Sequence, residues 1–168
     1  MYVYMTSGTP EYMKRIKSKY PNEHMYLLHG IGNSLLIHET LGKTAFQVPR
    51  KFEVLEAYGT FSEKGYFVLQ HIPISDEGSP LFESKYTNLS TTVEKEPGCI
   101  ALRVLKPIKS DTYIILTEWS GPNSFEVWEK SVAFDFTKIA DYQKIFNSAP
   151  YVTKYKTEEE KEEEADNY

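Results

Sequence analysis

Residues 99–119 read CIALRVLKPIKSDTYIILTEW, an apolar run from Cys99 to Leu105, a break from Lys106 to Asp111, and a second apolar run from Thr112 to Trp119. The break carries a proline and an aspartate, which favour a turn over a continued strand, so the stretch is predicted to be two strands joined by a hairpin loop. The elements on either side of this hairpin decide the fold.

Upstream, Glu96-Pro97-Gly98 stops a helix that Ser79-Pro80 starts. Within it Phe82, Tyr86, Leu89 and Val93 follow at spacings of four, three and four, which puts all of them on one face. Before that helix, Tyr66 to Ile74 is an apolar strand interrupted by Gln70 and His71. Downstream, Ser120 is placed to cap a second amphipathic helix, with Pro122 in its first turn and Phe125, Trp128 and Val132 on its buried face. Tyr151 to Lys156 supplies a last strand. The resulting order, β-α-β-β-α-β, is the ferredoxin-like or split-βαβ pattern, and the class is α+β.

Ahead of this module the chain predicts a β-α-β-β-β extension. Tyr2 to Thr6 reads as a strand, and Thr9-Pro10-Glu11 opens a helix running to about Lys19 with Tyr12, Met13, Ile16 and Tyr20 as its apolar stripe. Strands at His24 to His29 and Ser34 to Glu39 flank the hairpin turn Gly30-Ile31-Gly32-Asn33. Thr44 to Val48 is read as a third strand and Phe52 to Tyr58 as a connector. The domain division is therefore 1–61 for the extension, 62–157 for the ferredoxin-like domain and 158–168 for an acidic tail.

Composition narrows the functional classes. Residues 156–168, KTEEEKEEEADNY, hold six Glu and one Asp against two Lys, a net of −5 that equals the charge of the whole chain. The body is thus near neutral, without the basic stripe of a nucleic-acid binder, and the tail has too few apolar residues to pack. With one Cys and four scattered His, no internal disulfide or zinc set is expected. No secretory leader and no long apolar run is evident, so the expected location is the cytoplasm, with no membrane partner. Nucleotide-binding and common hydrolase motifs are missing. Thirteen Tyr, nine Phe and two Trp supply large rings suited to a core or to a pocket for a flat ligand.

Particular residues add a family likeness. Glu96 to Pro107 (EPGCIALRVLKP), followed by Trp119, Phe125, Trp128, Ser131 and Phe134, resembles the antibiotic-biosynthesis-monooxygenase domain of IsdG-type haem-degrading monooxygenases. Tyr4 to Thr9 (YMTSGT), Ile37 to Thr40 (IHET) and Phe46 to Pro49 (FQVP) resemble the extension of a longer subgroup that includes HmoB-like monooxygenases and the staphylococcal protein TRAP. The resemblance implies an oxygen-dependent enzyme that binds haem as substrate and cofactor between helices and sheet. It would open the porphyrin ring and release iron with electrons from an external donor. The resemblance also implies a homodimer through the sheet faces. Its alternative is a TRAP-like stress or signalling protein that keeps the fold without haem turnover.

Haem-degrading members place an Asn on the first domain strand, a Trp on the second helix and an axial His about ten residues later. Here Gln70, Trp128 and Lys138 stand at those positions. Trp128 is either a core indole or a wedge against the porphyrin edge, and Gln70 either a satisfied amide or a hydrogen-bonding group toward the ligand. Tyr86 is a core ring or an oxygen donor to iron. Phe82, Leu89 and Phe125 are the implied pocket walls. Lys138 and Tyr142 occupy the region that usually supplies the iron ligand. Strand alternation sends His71 to the face opposite Gln70, which makes it an interface residue before an iron ligand.

Overall fold

In a computed structural model of the chain, residues 1–131, 144–158 and 166 are described. The elements are β1 (Tyr2–Gly8), α1 (Pro10–Lys19), β2 (His24–His29), β3 (Ser34–Thr40), β4 (Arg50–Gly59), β5 (Tyr66–Pro73), α2 (Ser79–Tyr86), α3 (Leu89–Val93), β6 (Cys99–Pro107), β7 (Thr112–Trp119), α4 (Pro122–Glu129) and β8 (Tyr151–Thr157). All paired strands are antiparallel, and they close into one barrel in the order β1-β3-β2-β8-β5-β7-β6-β4.

That order has an internal logic. The second half contributes the sheet β8-β5-β7-β6, which is the fourth, first, third and second of its strands, the ferredoxin-like order. The first half contributes β4-β1-β3-β2, again fourth, first, third and second. The halves join at β4–β6 and at β2–β8, so the second strand of each meets the fourth strand of the other. The barrel is thus a pseudo-twofold arrangement of two related sheets within one chain. Its seams are unequal: β4–β6 runs from Phe52↔Pro107 to Gly59↔Ala101, whereas β2–β8 consists of Leu28↔Thr157 and His29↔Lys156.

Alternation along the strands sorts the side chains into three layers. Val3, Met5, Leu28, Leu35, Ile37, Phe67, Leu69, Leu105, Ile114 and Leu116 fill the barrel. On the outer face of the second half, Val68, Ile72, Leu102, Val104, Ile115 and Trp119 meet Phe82, Tyr86, Leu89, Val93, Phe125 and Trp128 from the helices. On the outer face of the first half, α1 and the 45–46 segment cover Tyr4, Met25, Leu27 and Leu36.

Several local expectations are corrected. Thr44 to Val48 forms no strand, because β1 is already hydrogen-bonded to β3 on one edge and to β4 on the other. The fourth strand is instead the supposed connector, Phe52 to Tyr58, within β4. A register shift between Val54 and Glu56 interrupts its alternation, which hides the strand period in the sequence. The helix from Ser79 breaks into α2 and α3 at Thr87-Asn88, where Thr87 Oγ1 donates back to the carbonyls of Glu83 and Ser84. All four of its stripe residues remain buried. Gly121, not Ser120, is the N-cap of α4. Thr9 caps α1 as predicted, accepting from the Tyr12 amide, but Tyr12 and Tyr20 are exposed and Met13 is the residue of that stripe that is fully buried.

The sheet face expected to carry a homodimer contact is not open. The face opposite α2–α4 is covered by β1–β4 of the same chain, so the apolar surface that suggested a second copy is internal. The acidic tail lies outside the described residues apart from Glu158 and Asp166. Glu158 is ion-paired with Lys14 and also reaches His29, adding polar contacts beside the short β2–β8 seam.

Across the barrel, the Arg103 guanidinium on β6 is buried and uses all five of its N–H donors. Nε and Nη2 clamp the Glu39 carboxylate of β3 at 2.8 and 3.3 Å. Nη1 donates to the carbonyls of Tyr58 and Leu102 at 2.8 Å each, and Nη2 to that of Gly59 at 3.0 Å. Gly59 itself sits at φ +66, and a Cβ there would come within 2.2 Å of the Ile100 carbonyl, so no other residue fits. Removing one partner strands the other charge in the interior. Arg103→Met is expected to lower unfolding stability by about 3 kcal/mol in urea titration. Loss of the exposed Lys17–Glu63 pair by Lys17→Gln should cost under about 1 kcal/mol. Equal effects of the two substitutions would show that the Arg103 bridge does not tie the halves together.

Candidate functional site

Gln70 lies on β5 between Val68 and Ile72, both of the helix-covered face, and opposite Ile115 of β7, which belongs to the same cluster. It is 4% exposed, and its Oε1 has no hydrogen-bond partner among the described residues. A buried amide oxygen in this state carries an uncompensated desolvation cost of roughly 1–3 kcal/mol. Such atoms are rare in folded proteins and mark places where a ligand or water completes the hydrogen bonding.

The helices bring the other candidates to the same face. Trp128 and Phe125 project from α4, one turn apart, onto Trp119 of β7; the Trp119–Trp128 ring centroids are 5.1 Å apart and Trp119–Phe125 5.9 Å. Phe82 and Tyr86 project from α2 with centroids 4.7 Å apart, and Phe82 also packs on Tyr113 at 4.6 Å. Leu89 enters from α3. Gln70, Tyr86, Phe82, Leu89, Phe125 and Trp128 therefore share one wall of the molecule, with the rings packed against each other and no more than 6% exposed. Trp119 belongs to this wall as much as Trp128 does. Its Nε1 donates to Thr117 Oγ1 at 2.8 Å, which fixes the ring.

The helix layer over Gln70 is weakly constructed. Neither α2 nor α4 has a side-chain hydrogen bond at its N-cap, and α3 is five residues long. Helices this short draw their stability from packing alone. The chain before the final strand is tied back to the same region: Ser75 N donates to the Ile145 carbonyl at 2.7 Å and Asn147 N to the Pro73 carbonyl at 3.0 Å. Lys138 and Tyr142 lie outside the described residues.

His71 points the other way, into the barrel end, alongside Phe67 and Leu69 of the interior layer. Residues of the chain's own last strand, β8, lie against it. The ring stacks on Tyr151 with centroids 4.3 Å apart and an interplanar angle of 6°, and Nε2 meets Thr153 Oγ1 at 2.8 Å. Nδ1 has no partner. Burial, with the Arg50 charge adding to it, pushes the imidazole down to about 4, so the ring is neutral at ordinary pH. At the other end of the β5–β7 ladder Glu118 is buried beneath the 62–65 turn, accepting from Ser62 N, Ser62 Oγ and Gly65 N at 2.7, 2.7 and 3.1 Å. A side chain at Gly65 would collide with that carboxylate. Burial raises the Glu118 pKa. It also pushes the Cys99 thiol up to about 12, which removes it as a nucleophile.

Among the described residues no group of three or more His, Cys, Asp and Glu is placed to hold a metal ion. No described helix is long and apolar enough to cross a membrane. The flanking of Gln70 by Val68 and Ile72 follows from strand period alone. The unpartnered state of its oxygen does not, because it depends on what α2–α4 offer across the gap.

Comparison with known proteins finds relatives of the chain in sequence and in structure. Residues 65–138 match the family profile "Antibiotic biosynthesis monooxygenase", which spans β5 through α4 and on to Lys138. The chain is 28% identical over 129 residues to a heme-degrading monooxygenase of Listeria monocytogenes, covering 77% of each protein. It is 26% identical over 140 residues to the signal transduction protein TRAP of Staphylococcus aureus, covering 82% of this chain and 84% of that one. A solved structure of a major regulator of staphylococcal pathogenesis superposes with a TM-score of 0.85 at 23% identity, over 94% of this chain and 99% of the other, which shows the shared fold.

The depressed His71 value has a consequence for stability. Between about 6.5, the ordinary value, and about 4 the unfolded chain takes up a proton that the folded chain refuses. Stability therefore falls as pH drops through that window. His71→Gln is expected to flatten the dependence in urea titrations at pH 6.5, 5.5 and 4.5. An unaltered slope in the variant would assign the effect to other groups.

Proposed function

We propose that this chain, whose residues 65–138 match the antibiotic biosynthesis monooxygenase profile, binds haem on the wall formed by Gln70, Tyr86 and Trp128 and degrades it with molecular oxygen and an external reductant. The observation that carries the reading is the buried Gln70 oxygen that nothing in the described fold satisfies. The residues suit the ligand: indole and phenyl rings offer flat apolar contact, and one amide offers both a donor and an acceptor.

Haem, as the substrate, supplies the iron and the porphyrin that react with oxygen, and the reductant supplies electrons. Phe82, Leu89 and Phe125 form the apolar surround and exclude water once the helices close. Trp128 sets the shape of the wall from beneath, held by Trp119 and Phe125. Gln70 orients what binds by hydrogen bonding from the sheet side. Tyr86 brings a phenol to the edge of the same wall as the candidate oxygen donor. The 28% identity to the Listeria heme-degrading monooxygenase supports the reading.

A second reading, a regulator that keeps the fold without turnover, is favoured by the closure of the wall, since Phe82, Phe125 and Trp128 are 0% exposed. The relation to TRAP supports it as well.

Hemin titration separates the two. The enzyme reading expects a stoichiometric Soret shift, then bleaching and iron release when ascorbate is added in air. Hemin that fails to bind, or that survives the reductant, supports the regulator. Gln70→Leu sharpens the test, because an orphaned amide replaced by an apolar side chain should leave stability equal or raise it by about 1–2 kcal/mol. The same variant should slow haem loss by about tenfold or more. A destabilised Gln70→Leu protein would make Gln70 a structural amide and remove the main support for the site. Trp128→Phe, which retains an aromatic ring, should change the rate or the product spectrum without unfolding the chain.

A further inference from the structure

A second concavity lies away from the Trp128 wall, where β4 starts beside the β6–β7 turn. It encloses about 320 Å³ and is lined by Tyr4, Pro49, Arg50, Lys51, Phe52, Ile108, Lys109 and Ser110. That volume is at the small end for ligand pockets, which run from about 300 to 1,000 Å³. Its apolar lining is Pro49 and Ile108, backed by the buried rings of Phe52 and Tyr4. Its polar surface is cationic: Arg50, Lys51 and Lys109 stand around one opening, with no acidic side chain in the lining.

None of these three cations has an ion-pair partner among the described residues. Lys51 is held by rings instead of by a carboxylate, its Nζ lying 4.3 Å from the Tyr2 centroid and 5.7 Å from that of Tyr4. The neighbouring acids are engaged elsewhere. Asp111 accepts from Asn147 and Thr112, and Glu53 stands opposite Lys106 in the β4–β6 ladder, outside the lining of the hollow. The contrast is the larger cavity of about 630 Å³ beside α1, where Lys14 and Lys17 are matched by Glu158 and Glu63. On a body that is near neutral, three cations without an ion-pair partner at an apolar hollow are a local excess of positive charge. Such a hollow concentrates anions, and its low-dielectric walls strengthen the attraction. The ladder partner Pro107 and the bond from Ile108 N to the Lys51 carbonyl at 3.1 Å hold the two sides of the hollow together, so it is preformed.

The geometry points to a binding site for a small amphipathic organic anion, with an aromatic or aliphatic body against Pro49 and Ile108, and a carboxylate between Arg50, Lys51 and Lys109. This site is independent of the haem reading and shares no residue with it. Bare charge alone does not explain an apolar floor, and an apolar ligand alone does not explain three cations.

The probe is 6-fluoro-2-naphthoate, observed by fluorine NMR on the full-length chain, with amide spectra to locate it. Saturable binding with shifts confined to residues 49–52 and 108–110 is expected. The neutral alcohol 6-fluoro-2-naphthalenemethanol should bind at least about tenfold more weakly. Arg50→Gln and Lys109→Gln, both at exposed positions, should each weaken the naphthoate by about two- to fivefold and together by about tenfold. Ile108→Ser should weaken both probes. Shifts centred elsewhere, or affinity unchanged in the double variant, would overturn the assignment. Competition by inorganic phosphate as effective as by naphthoate would overturn the amphipathic part of it.

Discussion

The Arg103–Glu39 clamp is the contact on which the closed barrel turns. Every N–H of the guanidinium is used, and its partners come from β3, from the end of β4 and from its own strand. A buried pair of this kind adds little net stability over an apolar substitute, but it penalises every arrangement that leaves one charge alone. It therefore acts as a register device: the second half cannot slide against the first without stranding Arg103. Phe61, 4.7 Å beneath the guanidinium, and its neighbours Tyr26 and Phe67 close that end of the barrel around it.

With the barrel closed inside one chain, the two faces of β5 acquire different environments. Odd residues point into the interior, and His71 is sealed there as a neutral ring. Even residues point to the helix layer, where Gln70 meets an aromatic wall. The strong part of the molecule is the β4–β6 seam and the interior. The weak part is the layer of short helices without side-chain caps over Gln70, the face on which the proposed ligand would bind.

Much of this was legible in residue order. The strands at 66–74, 99–105, 112–119 and 151–156 and the helix stripe Phe82, Tyr86, Leu89 and Val93 follow from period and turn chemistry, and they appear in place. The fourth strand of the first half was not legible, because a bulge at Val54–Glu56 breaks its alternation and charged residues occupy its outward positions. Nor was the break at Thr87-Asn88, where hydroxyl bonds to the preceding turn compete with a helix that the apolar spacing alone would continue.

For the site, the sequence by itself determined which residues share a face: strand period separates Gln70 from His71, and helix period unites Trp128 with Phe125. Those are properties of one element at a time. Only the tertiary structure decided what each face meets. The pairing of β2 with β8 and of β4 with β6 turned an expected subunit interface into an interior, and the packing of α2–α4 left the Gln70 oxygen without a partner among the described residues. It also gathered Arg50, Lys51 and Lys109 around one hollow from segments nearly sixty residues apart. Burial and hydrogen bonding at a position depend on elements distant in the chain, and local period carries no information about them.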